Sequence, residues 1–335
     1  VLANSLTENK TDTILEKQDA LKELSGKVKW RQHFSALASL VSVNSTTNAI
    51  VGWISNYSSV FPKFLKTLQI VFTIVSLSLI GLIFFGQISF TYIVIWFFVG
   101  LFITGRFVMK INHLYTEASK ARDTFKQCHQ LLNEIENEGF TSKILKEKQQ
   151  IINSESKKAS VIFKEFARIL DTFDQRNNIV IAIFGNGLFL SEIYNVCKVE
   201  KWISEYKHTV ENWFEVVAFF DAENSLANFY FNHPKFIFPE ITSEKNVIKS
   251  SNLGHPLLNS EKRVDNDFNI NKEEFFIVTG ANMAGKSTFL RTVSLSIVMA
   301  NCGLPVFAES FKYSPIKLIT SMRTTDSLTE DESYF

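Results

Sequence analysis

The feature that most constrains the fold is a long stretch without any charged side chain. No Asp, Glu, Lys or Arg occurs from Thr67 to Gly105. The segment Gly86 to Ser89 divides this stretch into two apolar blocks, Leu68 to Phe85 and Phe90 to Ile103. Each block with its margins has about 18–20 residues, which is roughly what a helix needs to cross the ~30 Å hydrocarbon core of a bilayer. The sequence therefore predicts a two-helix transmembrane hairpin over residues 62–108.

The charges around the hairpin predict its orientation. Lys63 and Lys66 precede it, Arg106 and Lys110 follow it, and the turn between the two blocks is uncharged. The positive-inside rule then places both ends in the cytoplasm. The alternative is a pair of buried core helices, but such helices normally keep a polar stripe and neither block has one. We expect the hairpin to contact the lipid bilayer, in the bacterial inner membrane, with both termini and the domain after the hairpin in the cytoplasm.

Length and composition limit the remaining possibilities. A chain of 335 residues exceeds one comfortable core and predicts two or three structural units. Because 35 basic residues face 34 acidic ones, the net charge of +1 gives no footprint of nucleic-acid binding. The three cysteines, Cys128, Cys197 and Cys302, are far apart and form no C-x-x-C pair, which argues against a disulfide framework and a zinc site.

Two segments after the hairpin have recognisable periodicity or length. A long helix is predicted from Arg106 to Glu138, with a short heptad seam that packs either within the chain or in a dimeric coiled coil. Ile179 to Leu190 is apolar but below spanning length, and it is predicted to be a core segment. The seam consists of Ala118, Ala121, Phe125, Cys128, Leu132 and Ile135.

A phosphate-binding motif follows near the end of the chain. Phe275 to Val278 is predicted to be an apolar strand, followed by G-x-x-x-x-G-K-S and a helix. The glycines Gly280 and Gly285 let backbone N–H groups turn towards a phosphate, and the positive end of the helix dipole points at the same anion. Lys286 supplies a charge to the outer phosphates and the Ser287 hydroxyl can ligate Mg²⁺. The sequence predicts binding of a nucleoside triphosphate. The helix is predicted to bury Phe289, Leu290, Val293, Ile297 and Val298.

The motif is more particular than a general phosphate loop. Residues Gly280 to Thr288 resemble the loop of MutS-family ATPases, G-P-N-M-x-G-K-S-T, in which the Asn-Met pair is distinctive. Ala281 departs from the family's proline. Gly254 to Leu258 resembles the family's R-H-P-L motif, with glycine in place of arginine. Thr325 to Phe335 resembles its signature loop, S-D-D-L-x-x-G-x-S-T-F, with Asp331 in place of the glycine.

The resemblance extends towards the start of the chain. Phe220 to Ala227 is similar to the D-x-x-x-S-L-A helix that precedes the ATPase domain in that family, and Ile14 to Leu24 is similar to its core segment I-x-x-R-Q-x-A-V-x-x-L. Between these motifs the chain has a membrane hairpin and a modest stalk, where mismatch-repair members have long levers and a DNA clamp. The resemblance is therefore to a membrane-associated branch of the MutS family.

The resemblance implies a mixed fold in four parts. An α-helical, MutS-core-like segment (1–61) precedes the hairpin (62–108). A helical stalk with the remainder of the core (109–250) follows, and the N-terminal part of an α/β P-loop ATPase domain (251–335) ends the sequence. The family's Asp-Glu strand, expected after the signature loop, does not occur, so the chain is either a fragment or a degenerate ATPase. We expect ATP hydrolysis from a longer protein and not from these residues.

The resemblance also implies cofactors, partners and residue roles. ATP with Mg²⁺ is the expected ligand, the ATPase domain is expected to form a homodimer, and DNA is a possible partner. A non-DNA scaffold or mechanical ATPase is the alternative, because the only basic run, Lys143 to Lys158, is explained equally well as a solvated helix face. Asp326 and Ser333 of the signature loop would act in trans on the partner's nucleotide. The catalytic side chains would be Asn282 and Lys286, the Mg²⁺ ligand Ser287, and the nucleotide contacts Gly280, Ala281, Asn282, Met283, Ala284, Gly285, Lys286, Ser287, Thr288 and His255.

Overall fold

A computed structural model describes most of the chain. The described residues are 2–7, 13–40, 46–153, 156–174, 178–244, 247–259, 261, 263–272, 274–281 and 284–321. Their helices are α1 (Leu2–Thr7), α2 (Ile14–Gly26), α3 (Val28–Ser39), α4 (Thr47–Ser55), α5 (Phe64–Phe84), α6 (Thr91–Asn137), α7 (Lys143–Ile152), α8 (Ala159–Asp174), α9 (Ile179–Phe189), α10 (Ser191–Tyr206), α11 (Val210–Asn232) and α12 (Lys286–Asn301). Their strands are β1 (Glu240–Ile241), β2 (Ile248–Leu253), β3 (Asn266–Ile270) and β4 (Ser310–Tyr313).

The chain packs into two compact units. Unit 1 comprises residues 1–32, 139–148 and 218–335, and unit 2 comprises residues 33–138 and 149–217. Unit 2 contains the predicted hairpin, and unit 1 contains the predicted phosphate loop.

The centre of unit 2 is the C-terminal half of α6. All six residues of the predicted seam are buried, which confirms the heptad spacing. The seam is covered by α8 and α10 of the same chain, so its packing is intramolecular. Phe125 is fully buried, and its ring lies 4.6 Å from that of Phe163, 4.7 Å from that of Phe166 and 5.4 Å from that of Trp202, centroid to centroid. Aromatic pairs of this kind stabilise the packing of the helices by more than the burial of apolar area alone would.

The hairpin predicted from the uncharged stretch is present as two helices. Helix α5 and the first part of α6 are both long and apolar enough to cross a membrane, and only 11% of each apolar window is buried by protein. The two helices meet where the rings of Phe72 and Trp96 stack at 4.4 Å and the Trp96 indole donates to Ser76 Oγ at 2.8 Å. Many of their other apolar side chains are exposed, for example Phe102, which is 76% exposed.

The prediction that residues 179–190 form a core segment is wrong for most of its length. Helix α9 buries Asn186 and Gly187 near its C-terminal end, whereas Ile179, Val180 and Phe184 are 72%, 63% and 58% exposed. A helix that is apolar all round can be buried on all sides only when other helices surround it. Here α5 and α6 contact one end and one side of α9.

Unit 1 contains a small mixed sheet in the order β1-β4-β2-β3. Strand β1 is parallel to β4, and β2 is antiparallel to both β3 and β4. The predicted strand Phe275 to Val278 is not part of this sheet, and Phe275 and Ile277 are 82% and 77% exposed. A strand forms only where a neighbour offers N–H and C=O groups, and no described strand pairs with this segment. Phe276 packs instead on Phe268 of β3, with ring centroids 5.5 Å apart.

Candidate nucleotide-binding site

The phosphate loop closes on itself through its lysine. Gly285 is the N-cap of α12 and has a φ of 78°, a backbone conformation that favours glycine strongly. The Lys286 ammonium donates to the carbonyl oxygens of Gly280 at 2.9 Å and Ala281 at 2.5 Å. The cation is therefore held inside the turn, at the end of α12 where the helix N–H groups lack partners within the helix. Charge and donors of this kind converge where an anion would bind.

The neighbouring residues leave room for a ligand. Ala284 and Ser287 are exposed, and Thr288 is half-buried in the first turn of α12. Ser287 is therefore accessible to solvent in the first turn of α12, as a Mg²⁺ ligand would need to be. Asn282 and Met283 lie outside the described residues, and so do Asp326 and Ser333, so their predicted roles stay predictions.

The buried face of α12 differs from the prediction. Of the five apolar residues predicted to be buried, Ile297 is, whereas Leu290 is 44% exposed and the other three are half-buried. The buried positions cluster in the second half of the helix, and several are small or polar: Thr292, Ser296, Ile297, Met299, Ala300 and Asn301. In the first half, the Phe289 ring contacts the Phe268 ring of β3, with the centroids 5.7 Å apart.

His255 lies in a closely packed corner. It is 1% exposed, its Nδ1 accepts from the Leu257 N–H at 3.3 Å, and its Nε2 is buried without a hydrogen-bond partner among the described residues. Burial, with a smaller contribution from Arg291 of α12, lowers the pKa of His255. A buried nitrogen without a partner costs free energy unless a ligand or water satisfies it. The nitrogen atom Nε2 of His255 is therefore free to accept or donate one further hydrogen bond, and the predicted contact of His255 with the nucleotide stays a prediction.

The glycine before it has a packing reason that the sequence did not reveal. A Cβ on Gly254 would lie 2.3 Å from Asp265 Oδ1 and 2.5 Å from Arg263 Nε. Arg263 forms a 2.7 Å ion pair with Asp265, and its guanidinium lies 3.4 Å from the Phe307 ring centroid. The Arg263 guanidinium therefore occupies the space in front of Gly254. Arg263 and Asp265 have no motif around them, so sequence reasoning missed them.

The two helical segments that resemble the MutS family lie in the same unit as the loop. Helix α2 buries Ile14, Leu21 and Leu24, and the Gln18 side chain donates to the Pro239 carbonyl at 3.1 Å. In α11, Phe220 is fully buried and Glu223 is 5% exposed. Burial raises the pKa of Glu223 to about 7, with Lys17 of α2 acting in the opposite direction. One Glu223 oxygen, Oε2, has no hydrogen-bond partner among the described residues.

Glu223 makes the stability of unit 1 depend on pH. The pKa of this carboxyl is raised on folding, from an ordinary value of 4.5 to about 7. The folded protein then binds more protons than the unfolded chain between these values, so stability is highest below pH 4.5 and falls as pH rises through 7. At about 1.4 kcal/mol per pKa unit, the loss is roughly 3 kcal/mol. We expect Glu223→Gln to flatten the pH dependence of thermal unfolding between pH 4.5 and 7, whereas Glu215→Gln, on an exposed part of α11, should leave it unchanged. An unaltered slope in Glu223→Gln would contradict this assignment.

The described residues of the loop suit a triphosphate. They do not by themselves form a complete metal site. A glycine with positive φ, a lysine held in the turn and an exposed serine at a helix N-terminus match the donor set for phosphate with Mg²⁺. No group of three or more His, Cys, Asp or Glu side chains among the described residues is arranged to hold a metal ion. Among the described residues, Ser287 is the side chain that would hold Mg²⁺ at this loop, together with oxygens of the nucleotide.

Comparisons with known proteins relate this chain to the MutS family. Residues 276–335 match the family model of MutS domain V. The chain is 29% identical over 240 residues to the DNA mismatch repair protein MutS of Petrotoga mobilis, covering 68% of this chain. It is 31% identical over 146 residues to MutS of Carboxydothermus hydrogenoformans and 36% identical over 97 residues to MSH6 of Arabidopsis thaliana, covering 42% and 26% of this chain.

These matches support membership of the MutS family. The chain spans 25%, 17% and 7% of the length of those three relatives, so each match covers only part of the relative. The matched domain V segment begins at Phe276, just before the phosphate loop.

Proposed function

We propose that this chain belongs to a membrane-anchored, MutS-like ATPase that binds ATP at the loop Gly280 to Thr288. The observation that carries the proposal is the arrangement of Gly285 and Lys286 at the N-terminus of α12. The lysine would meet the outer phosphates, the backbone of the loop would surround them, and Ser287 would hold Mg²⁺. Bound Mg²⁺ would neutralise charge on the phosphates. Binding of a fluorescent ATP analogue tests the proposal directly.

Membrane anchoring by α5 and the first part of α6 is the second part of the proposal. It is supported by two helices of spanning length whose apolar side chains are not covered by protein. We expect the protein to sediment with membranes and to resist high-salt and alkaline washes, because both helices would be buried in lipid and not held by charge. Release by alkali would contradict membrane insertion and would indicate that the two helices pack against protein.

Nucleotide-controlled dimerisation is the third part, and it is proposed from the resemblance of residues 325–335 to the signature loop. If Ser333 acts on the partner's nucleotide, each site is complete only in a dimer, and ATP favours association. We expect Ser333→Ala to bind ATP almost normally but to lose ATP-dependent dimerisation in detergent solution. A mixture of Ser333→Ala and Lys286→Ala should dimerise partially, because one of its two sites combines an intact lysine with an intact serine. A mixture no better than either variant alone would contradict action in trans.

The relatives are DNA mismatch repair proteins by name, and DNA is the partner that this similarity proposes. An ATP-driven membrane scaffold that does not bind DNA is the second candidate, favoured by the net charge of +1. Phosphate contacts impose a steep dependence of affinity on salt. Retention on duplex DNA that falls steeply between low and physiological salt supports the first candidate. No retention at low salt supports the scaffold.

A further inference from the structure

Helix α9 carries an apolar face that protein does not cover. Its sequence, IVIAIFGNGLF, contains no charged residue. Ile179, Val180, Ile181, Ile183 and Phe184 are between 42% and 72% exposed. In water, so many adjacent exposed apolar side chains mark an interaction site. The contacts that the opposite face of α9 makes indicate what covers the exposed face.

The covered side of α9 is fixed tightly to the hairpin. A Cβ on Gly100 of α6 would lie 2.3 Å from the Gly187 carbonyl oxygen, so the two backbones touch. The Phe97 ring packs beside Gly187 and lies 5.7 Å from the Phe184 ring, centroid to centroid. Small residues that let backbones approach this closely are typical of helix packing in membranes.

The C-terminal end of α9 receives its hydrogen bonds from α5. The Phe189 carbonyl accepts from Gln69 Nε2 at 3.3 Å and from Thr73 Oγ1 at 3.5 Å. Both donors lie inside the uncharged stretch. A carbonyl at the end of a helix must find a partner within the protein when no water reaches it. The arrangement therefore suits a helix end placed in lipid.

The contacts also set the depth of α9. We call Lys63, Lys66, Arg106 and Lys110 the basic collar of the hairpin. Gln69 and Thr73 lie three and seven residues beyond Lys66, and Gly100 lies six residues before Arg106. At 1.5 Å per residue, these contacts lie about 5–10 Å beyond the collar. The centre of a bilayer core would be at about 15 Å.

The chain returns immediately after this point. Leu190 has a φ of 50°, and α10 leaves at 84° to α9. Helix α10 carries four charged residues within its first eleven, and Glu200 accepts a 3.0 Å hydrogen bond from Tyr57, which precedes the hairpin. Tyr194 and Lys198 form a cation–π pair, with the ammonium 4.3 Å from the ring centroid. Such a helix does not continue into the hydrocarbon, so α9 and α10 together do not form a third span.

We propose that α9 lies in the leaflet on the side of the basic collar, as an interfacial helix whose exposed face contacts the acyl chains just below the headgroups. The inference rests on the proposed membrane anchoring of α5 and α6. Continuity decides the occupant, because the exposed face of α9 adjoins the apolar surface of the hairpin. Interfacial helices are buried about 5–10 Å into the boundary region, which matches the depth given by Gln69, Thr73 and Gly100.

Spin-label depth measurement tests the proposal in vesicles of phosphatidylcholine and phosphatidylglycerol. The full chain would carry Cys197→Ser, since burial raises the pKa of Cys128 to about 12 and of Cys302 to about 11 and protects both thiols from labelling. Labels at Phe184→Cys and Leu77→Cys are compared by their accessibility to oxygen and to a water-soluble nickel chelate. Leu77 lies eleven residues beyond Lys66, at about 16 Å. An exposed position on α8, Val161→Cys, gives the value in water.

We expect the Phe184 label to be embedded at a depth between those of the other two labels. A water-accessible Leu77 label would refute the anchoring itself. An embedded Leu77 label with a water-accessible Phe184 label would refute only the position of α9, and equal depths would show a full span. Gly100→Leu should then displace the Phe184 label towards water, whereas Gly105→Leu, where a Cβ meets nothing within 4 Å, should not. An unchanged depth in Gly100→Leu would overturn the docking of α9 on α6.

Discussion

Lys286→Ala is expected to weaken ATP binding at least tenfold, which corresponds to about 1.4 kcal/mol. The lysine ammonium is held within the phosphate loop by the Gly280 and Ala281 carbonyl oxygens. In the nucleotide complex it would exchange these partners for the outer phosphates, which are stronger acceptors because they are charged. Removing the lysine side chain takes away the positive charge that attracts the triphosphate. The measurement is a titration of the intact protein with a fluorescent ATP analogue.

The matched control for that experiment is Lys317→Ala. Lys317 is exposed in the same unit, so its removal changes the net charge equally without touching the loop. Equal affinities of Lys286→Ala and the parent protein would contradict the proposed site. A parallel loss in Lys317→Ala would show that the effect came from overall charge.

Phe125→Ala is expected to destabilise unit 2 by about 3–5 kcal/mol, the range for removing a large buried aromatic side chain. The ring is fully buried and contacts Phe163, Phe166, Trp202 and Phe214. Its loss would leave a cavity at the point where α6, α8 and α10 meet. A large fall in melting temperature, followed by circular dichroism in detergent, is the expected result.

Met109→Ala provides the comparison for this variant. Met109 is on the same helix but is 83% exposed, so it fills no cavity. Surface substitutions of this kind usually change stability by less than about 0.5 kcal/mol. Similar melting temperatures for the two variants would mean that the cluster around Phe125 does not hold the helices together.

Periodicity and charge predicted the parts of the fold that depend on one helix at a time. The hairpin followed from the absence of charge, and the seam of α6 from its 3-4 spacing, because both properties are carried by the helix itself. By contrast, α10 and α11 are separated by a turn at residues 207–209. Helical propensity alone does not reveal such a turn. Lys207, His208 and Thr209 are compatible with helix or turn, and the packing of the aromatic residues decides between them.

Features that depend on several elements were less predictable. The apolar composition of α9 indicated burial, but whether that burial is in protein or elsewhere depends on which helices surround it. Leu290 appeared to belong to a buried stripe, and its neighbours in space decided otherwise. In the site, Gly285 and Lys286 were predictable because the motif specifies local backbone geometry. Arg263 and Asp265 were not, because they reach Gly254 only through the fold.

Helix α6 packs against α9 near one end and forms part of the aromatic core near the other. Because the helix is continuous, the angle between these two buried faces is fixed. Its buried positions run from Gly100, beside α9, through Thr104, Ile111 and Ala118 to Ile135, without a break in the helix. Each residue of an α-helix turns the chain by about 100°. One residue added between Arg106 and Ala118 would therefore turn one end by about 100° relative to the other, whereas seven would restore the alignment to within about 20°. Any insertion in the connecting segment therefore changes both the distance and the angle between the two packed ends of α6.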